Sequence, residues 1–217
     1  MTEPANSLPR LGAPAPDFEA ETTHGKLRLS DFLGSYVVLF SHPADFTPVC
    51  TTEFLAFAKI APDLRARGVE LLGLSIDSVF AHLGWIRNIK ERFGVDIPFP
   101  VIADSGRAVA NLYGMVMPGE SATETSRCVF IIDDKGILRA MIYYPLTTGR
   151  NTDEILRLID ALQVTDQHKA GTPANWQKGD AVILPAPRTA EDAAERSELA
   201  GNDGVEYIDW YYVKKTL

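Results

Sequence analysis

The spacing of apolar residues predicts strands alternating with helices over most of the chain. Three segments are almost continuously apolar, which is typical of strands buried on both faces: 36–40 (YVVLF), 69–76 (VELLGLSI) and 98–104 (PFPVIAD). Between and after them, three segments have apolar side chains at helical spacing: 51–68, 79–94 and 107–114. Glycine often follows the last residue of a helix, so Gly94 predicts the end of the second helix.

The pattern then changes to that of a hairpin. Residues 127–144 (RCVFIIDDKGILRAMIYY) contain two apolar runs around Asp133, Asp134, Lys135 and Gly136, a sequence typical of a tight turn. A helix is predicted near 152–163 (TDEILRLIDALQ). Strands that alternate with helices and end in a hairpin indicate an α/β fold with a mixed central sheet flanked by helices.

The last part of the chain has a different composition. From about Thr172 the sequence contains Pro173, Pro185 and Pro187, and it ends in the aromatic, strand-like segment VEYIDWYYVKKTL (205–217). We therefore predict two domains, a main one over 1–170 and a smaller C-terminal one over 171–217. The tail is too apolar to be left in water on a monomer, so we expect it at a dimer interface.

The net charge and the number of cysteines limit the partners and the cellular compartment that we expect. The chain has 217 residues, a net charge of -8 and a pI near 5.0, so nucleic acid and anionic membrane surfaces are disfavoured as partners. The N-terminal sequence predicts no export signal, and no apolar run approaches the roughly 18 residues of a membrane span. Two cysteines, Cys50 and Cys128, suit a reducing cytoplasm.

The loop SHPADFTPVC (41–50) puts one of those cysteines at an unusual position. If the strand ends near Ser41 and the helix begins near Pro48, Cys50 lies in the first helical turn, where unpaired N–H groups and the helix dipole favour a thiolate. The hydroxyl of Thr47 can then lie beside the sulfur and hold an H–O–O–R group in line with it. Alternatively, Cys50 is only a small buried apolar residue. The position of Cys50 alone does not decide between this interpretation and a reactive thiolate.

The surrounding residues resemble a known family. The motif Pro43-x-x-x-Thr47-x-x-Cys50, within SHPADFTPVCTTE, closely resembles the active-site signature of peroxiredoxins, which are thiol peroxidases with a thioredoxin-like fold. Segments along the whole chain from about Gly12 also look like family segments: GLSIDS, HLGWI, FPVIAD, R-x-VFIID and YYPLTTGRNTDEILR. The C-terminal TPANWQKGDAVILP resembles the extension of the one-cysteine (peroxiredoxin 6-type) branch.

The resemblance implies roles for matching residues. Cys50 would be the peroxidatic cysteine, which attacks a peroxide and becomes a sulfenic acid. Thr47 and Pro43 would position the peroxide and exclude water. Arg127 would lie near the sulfur, stabilise the thiolate and bind the transferred oxygen. Without the motif, Arg127 would be interpreted as a surface residue of an edge strand.

Three supporting residues follow from the same resemblance. Arg150 would pair with Glu53 and support the residues around the sulfur, although its position also suits an ordinary residue before a helix. His42 could tune the site, although a lone histidine more often only satisfies a local hydrogen bond.

Partners are implied as well. The substrates would be hydrogen peroxide and small organic hydroperoxides, and an external thiol such as glutathione or a thioredoxin-like protein would reduce the sulfenic acid. Cys128 follows Arg127 directly, and neighbours on a strand point to opposite faces, so Cys128 is not expected to be a resolving thiol. A homodimer, or a larger ring, is expected.

Other functions fit the sequence less well. Glu53 stands where a thioredoxin would have its second cysteine, the histidines lack metal-ligand spacing, and no phosphate-binding glycine motif occurs, so no metal or nucleotide cofactor is expected. Leu33 and Val37 replace both glycines of the G-x-S-x-G-like motif seen around the serine of some phospholipases of this branch, and Ser30 replaces the histidine. A non-catalytic redox sensor or holdase chaperone on the same fold stays open.

Overall fold

Seven strands form one mixed sheet in the computed structural model, which describes residues 8–217. They are β1 (Glu19–Thr22), β2 (Gly25–Arg28), β3 (Tyr36–Ser41), β4 (Val69–Ser75), β5 (Val101–Ala103), β6 (Arg127–Ile132) and β7 (Leu138–Tyr144). Their order across the sheet is β2-β1-β5-β4-β3-β6-β7. β3, β4 and β5 pair in parallel, and the remaining pairings are antiparallel. The predicted mixed α/β sheet is therefore confirmed.

Three helices and one short 3₁₀ turn accompany this sheet. The helices are α1 (Pro48–Ala66), α2 (Val79–Phe93) and α3 (Ala108–Leu112), and the turn spans Leu29–Phe32. The hydroxyl of Ser78 accepts a hydrogen bond from the Ala81 amide and so caps α2, which ends at Gly94 in the left-handed conformation, as predicted. α1 contacts β4, and α2 contacts β5. Within the described residues, no helix is both long enough and apolar enough to cross a bilayer.

The two faces of the sheet bury different side chains. Alternate residues of β3 and β6, among them Leu39, Cys128 and Phe130, belong to a core cluster that also contains Tyr113. On the opposite face, the Phe40 ring stacks on Phe57 of α1, with 4.0 Å between the ring centroids. Gly73 allows this packing because a Cβ atom there would lie 3.2 Å from the Phe40 ring. The middle of α1 is thereby packed against β3.

The C-terminal residues form a second unit, Asp153–Leu217. It contains all but the first residue of α4 (Thr152–His168), together with β8 (Val182–Ile183), α5 (Ala190–Ser197), β9 (Val205–Asp209) and β10 (Tyr212–Lys215). Its three strands are ordered β8-β10-β9. The aromatic tail is a hairpin rather than one strand, because Tyr212 pairs with Asp209.

The two units divide earlier in the chain than the predicted boundary at 170/171. α4 groups with the C-terminal residues because Arg157 donates to the Trp176 carbonyl and Lys178 pairs with Asp160. The first unit accordingly ends at Thr152, and the assignment of 171–217 to a separate domain stays a prediction.

Candidate active site

Cys50 is the third residue of α1, at the end of the loop that follows β3. Pro48 occupies the first helical position, where its missing N–H costs nothing because that donor would be unpaired in any case. The side chain of Cys50 is fully buried and has no disulfide partner. The predicted placement of the thiol in the first turn, where the helix dipole favours a negative charge, is thus confirmed.

Arg127 is the cation nearest to this sulfur among the contacts described. Its Nη1 atom donates to Cys50 Sγ at 3.3 Å and to Glu53 Oε2 at 2.6 Å. Nε and Nη2 both donate to the Leu146 carbonyl, at 2.9 and 2.7 Å. β6 lies between β3 and β7, so Arg127 is on an interior strand and its side chain is buried. The interpretation of Arg127 as an edge-strand surface residue is therefore wrong.

Arg150 also holds the Glu53 carboxylate, the group that accepts from Arg127. Nε and Nη2 of Arg150 donate to the two carboxylate oxygens of Glu53, at 2.8 and 2.7 Å, and the Arg150 amide donates to the same carboxylate at 2.9 Å. Nη1 donates to the carbonyls of Ser41 and Cys128. The guanidinium also lies 5.0 Å from the centre of the Phe40 ring. Arg150 is thus a buried cross-link between α1, β3 and β6 rather than an ordinary residue before a helix.

The charges of this cluster do not cancel. Arg127 and Arg150 each bring a positive charge and Glu53 one negative charge, so these three buried groups have a net charge of +1. Burial alone would raise the pKa of Glu53, but the charge and hydrogen bonds of Arg150, with the charge of Arg127, outweigh it and hold this pKa below the ordinary value. A thiolate at Cys50 would neutralise the remaining positive charge, which makes the site favourable for an ionised sulfur.

Thr47 and Pro43 shape the loop beside the sulfur. Thr47 is the residue before α1, and its hydroxyl donates to the Ala44 carbonyl at 2.8 Å instead of capping the helix. Because its hydrogen is used in this way, the Thr47 oxygen is left to act as an acceptor, for example of an O–H group. Pro43 is buried. Between them, Phe46 has a left-handed φ of 56°, a strained conformation of the kind found at functional loops.

The ring of His42 makes one hydrogen bond, to Asp45, and this bond belongs to a buried network. Its Nε2 atom lies 2.9 Å from Asp45 Oδ1, and Asp45 Oδ2 lies 2.8 Å from His82 Nδ1. These three side chains are buried, and their potential metal-ligating atoms lie within 4.8 Å of one another. The carboxylate lies between the rings and pairs with both, so the arrangement is that of a hydrogen-bonded triad. Residue spacing along the chain does not indicate this triad, because His82 is 37 residues from Asp45.

Cys128 lies on the other face of the sheet from Arg127. It belongs to the apolar core cluster with Leu39, Tyr113 and Phe130, and it is fully buried. Burial raises the pKa of the Cys128 thiol to about 12. The thiol therefore stays protonated near neutral pH, where it is a poor nucleophile.

The sequence analysis missed Asp45 and His82, and it also missed Leu146, whose backbone carbonyl holds Arg127. The amide of Leu146 in turn donates to Glu120 Oε2 at 3.0 Å. Every residue has a backbone carbonyl, so the residue type at position 146 does not indicate this role. Only the similarity of the segment 143–157 to family sequences could have indicated it.

Comparison with known proteins identifies the family. Residues 11–141 match the model of the AhpC/TSA family, and residues 161–198 match the model of the C-terminal domain of 1-Cys peroxiredoxin. A curated peroxiredoxin from Aquifex aeolicus is 56% identical over 97% of this chain and 98% of its own length. The chain belongs to the peroxiredoxin family. This peroxiredoxin is also 52% identical to peroxiredoxin 2 from Caldanaerobacter subterraneus, over 99% of the chain and 96% of that relative. The family assignment makes it a thiol peroxidase.

Solved structures agree with the fold. Yeast mitochondrial 1-Cys peroxiredoxin, described with thiol resolving via glutathione/thioredoxin systems, matches with a TM-score of 0.84 and 45% identity, over 96% of this chain and 99% of that one. A cysteine-to-serine variant of peroxiredoxin 6 from Arenicola marina matches with a TM-score of 0.84 and 43% identity, over 96% and 98% of the two chains. The first unit of this peroxiredoxin therefore has the predicted thioredoxin-like fold.

Proposed function

We propose that this peroxiredoxin reduces hydrogen peroxide and small organic hydroperoxides through Cys50, and that an external thiol restores the cysteine. The observation that supports this most directly is the contact of Cys50 Sγ with Arg127 Nη1, at 3.3 Å, inside a buried cluster with a net charge of +1. Such a cluster stabilises the thiolate, which is the nucleophilic form of cysteine.

The reaction begins with attack of the Cys50 thiolate on one peroxide oxygen. A sulfur–oxygen bond forms, the O–O bond breaks, and two electrons pass from sulfur to the peroxide. The leaving oxygen takes the peroxide proton and departs as water or an alcohol. Arg127, already a donor to the sulfur, also stabilises the charge that moves onto the oxygens.

The neighbouring residues hold the peroxide and the arginine. The Thr47 oxygen accepts the O–H of the peroxide, since its own hydrogen is donated to Ala44. Pro43 keeps water out of the loop. Glu53 and Arg150 are positioning residues. The Glu53 carboxylate accepts from Arg127 and is held by three hydrogen bonds from Arg150. Arg150 is itself fixed by its hydrogen bonds to the carbonyls of Ser41 and Cys128.

Reduction of the sulfenic acid requires a thiol from outside the chain. Cys128 is buried in the core on the opposite face of the sheet, so it does not meet Cys50 in this fold. We therefore infer turnover by glutathione or a thioredoxin-like protein, in keeping with the thiol systems named for the yeast relative. We place the reaction in a reducing cytoplasm, since both cysteines are free thiols.

The C-terminal hairpin supports assembly into homodimers. Ile208, Trp210 and Tyr211 are 63%, 43% and 54% exposed, so large apolar side chains face solvent in the single chain. Clusters of this kind mark protein interfaces. We propose that residues 171–217 contact a second copy of the chain, and that dimers can associate further into a ring.

The test is turnover with excess peroxide and a panel of reductants: glutathione, a thioredoxin with its reductase, and a small dithiol. Sustained peroxide consumption with at least one of them, lost in Cys50→Ser, is the expected result. Oxidation of one thiol per chain followed by arrest with every donor would contradict the enzyme assignment and favour a redox sensor. Loss of peroxide that persists in Cys50→Ser would show that another group reacts.

A further inference from the structure

The guanidinium of Arg127 is held at two opposite edges. Its Nη1 atom donates to Cys50 Sγ and to Glu53, whereas Nε and Nη2 both donate to the Leu146 carbonyl, at 2.9 and 2.7 Å. A planar guanidinium held at one nitrogen alone would be free to rotate about that contact. The Leu146 carbonyl therefore sets the direction in which Nη1 points at the sulfur.

Leu146 lies in a turn that leaves both of its own backbone groups available. The Thr148 amide donates to the Pro145 carbonyl at 3.2 Å and closes a four-residue turn directly after β7. The amide and carbonyl of the second residue take no part in such a bond, so they need other partners. The Leu146 carbonyl accepts from Arg127, and the Leu146 amide donates to Glu120 Oε2 at 3.0 Å. Three of the four turn residues are exposed, so packing does little to hold the turn.

Glu120 itself lies in a second turn that is well held. The amides of Glu120 and Ser121 both donate to the Met117 carbonyl, at 2.8 and 2.9 Å. Arg107 Nη1 donates to the Ala122 carbonyl at 3.0 Å. These contacts hold the main chain on both sides of Glu120, although the residue is exposed. The carboxylate therefore reaches Leu146 from a fixed base.

We propose that Glu120 is a positioning residue of the peroxidase reaction, whose carboxylate holds the Leu146 turn so that the Leu146 carbonyl keeps Arg127 directed at Cys50. This inference rests on the proposed function, because it assumes that Cys50 reacts with peroxide beside Arg127. The contacts from Glu120 to Leu146, Arg127 and then Cys50 measure 3.0, 2.7 and 3.3 Å. They connect the surface loop between α3 and β6 with the buried sulfur.

The hydrogen bond of Glu120, and not its charge, is expected to matter, because water and salt screen an exposed carboxylate. In Glu120→Gln the side-chain amide oxygen still accepts from the Leu146 amide. In Glu120→Ala this acceptor is lost and the turn can move. Glu124→Ala is the matched control, since it removes another carboxylate from the same loop and keeps the bond of the residue 124 amide to Ser121 Oγ.

The first readout is the rate of peroxide consumption in a single turnover by folded protein. We expect Glu120→Ala to be slower by about fivefold, the equivalent of one ordinary hydrogen bond, with Glu120→Gln and Glu124→Ala within about twofold of the wild type. An unchanged rate in Glu120→Ala, or an equal loss in Glu120→Gln or Glu124→Ala, overturns the positioning role. Failure of the wild type itself to react would instead overturn the proposed function.

A double variant tests whether Glu120 acts through Arg127. Once Arg127 has been replaced, the Leu146 carbonyl has no guanidinium to direct, so loss of Glu120 should have no further effect. The double variant of Glu120→Ala and Arg127→Ala should therefore react within about twofold of Arg127→Ala. A further loss of about fivefold in the double variant would show that Glu120 affects the rate by another route, and it overturns the inference.

Nitrogen NMR of protein labelled in its arginines follows the guanidinium directly. The Nε–H signal of Arg127 is the one that disappears in Arg127→Ala. We expect this signal to shift in Glu120→Ala, because Nε loses its fixed acceptor, and to stay at the wild-type position in Glu120→Gln and Glu124→Ala. An unchanged signal in Glu120→Ala overturns the inference even where the rate falls.

Discussion

Arg127 Nη1 donates to Cys50 Sγ across 3.3 Å, and the same nitrogen donates to Glu53 at 2.6 Å. One guanidinium nitrogen thus links the thiol to the carboxylate that Arg150 immobilises. Because Nε and Nη2 are both held by the Leu146 carbonyl, the guanidinium has little freedom to turn away from the sulfur. The arginine is fixed in place before any peroxide arrives.

Replacement of Arg127 should therefore slow the reaction with peroxide. We expect Arg127→Ala to lower the rate by about 10²–10³-fold, because one preorganised donor to the developing charge is lost. The measurement is the rate of peroxide consumption in a single turnover by folded protein. Arg139→Ala is the matched control, because Arg139 pairs with Asp133 at the hairpin of β6 and β7. An unchanged rate in folded Arg127→Ala would contradict the electrostatic role.

Glu53 should contribute to stability in a pH-dependent way. Its pKa in the folded protein is below the ordinary value of 4.5, so its contribution is fully present above that pH and is lost as the pH falls through the folded pKa. At neutral pH, Glu53→Gln should cost about 3–5 kcal/mol, because it leaves two buried guanidinium groups without their anion.

The measurement for Glu53 is urea unfolding of the wild type and Glu53→Gln at pH 7 and at several acidic values. The difference in unfolding free energy should shrink below pH 4.5. Glu154→Gln is the control, since Glu154 forms a partly exposed pair with Arg157 and should cost at most about 1 kcal/mol. A difference that stays constant into acid would show that Glu53 acts through packing instead of charge.

Much of the fold could be predicted from the sequence, where burial follows a regular pattern. The runs that became β3, β4 and the hairpin of β6 and β7 are apolar because both sheet faces are covered, and Gly94 marked the end of α2. β1 and β2 were missed because most of their residues are polar and exposed, so no alternation of apolar residues marks them. In the C-terminal tail, Trp210 and Tyr211 resemble strand residues but lie at the turn of a hairpin.

The site was predictable only in part. The position of Cys50 at the start of a helix follows from the loop, but its contact with Arg127 joins residues 77 positions apart and was indicated by the family resemblance alone. Of the triad, His42 was indicated by the same resemblance, but its partners Asp45 and His82 were not. The triad forms because β3 and α2 bring distant residues together, which residue spacing along the chain does not record.

Cys128 should not form a disulfide with Cys50. Its thiol is in the apolar core and stays protonated, since burial raises its pKa to about 12. After excess peroxide, mass spectrometry of non-reduced peptides should show Cys50 as sulfinic acid and no linked Cys50–Cys128 peptide. Cys128→Ala should keep the wild-type peroxidase rate. A dominant linked peptide, together with loss of cycling in Cys128→Ala, would contradict the one-cysteine assignment.

The C-terminal hairpin should be needed for dimers. Light scattering at micromolar concentration should give the mass of a dimer or a larger assembly. Replacing Trp210 and Tyr211, both exposed in the single chain, by serine should shift the mass towards the monomer. The matched control is Phe93→Ser, which removes another exposed aromatic ring from the end of α2. A wild-type monomer at that concentration would contradict the proposed assembly.

The most direct test of the whole account is a comparison of hydrogen peroxide consumption in a single turnover, without reductant, by the wild type, Cys50→Ser and Cys128→Ala. We predict that the wild type and Cys128→Ala rapidly consume one peroxide per chain. Cys50→Ser, with the same circular dichroism spectrum, should consume none. Rapid consumption by Cys50→Ser, or its loss in a folded Cys128→Ala, would contradict the assignment of Cys50 as the peroxidatic residue.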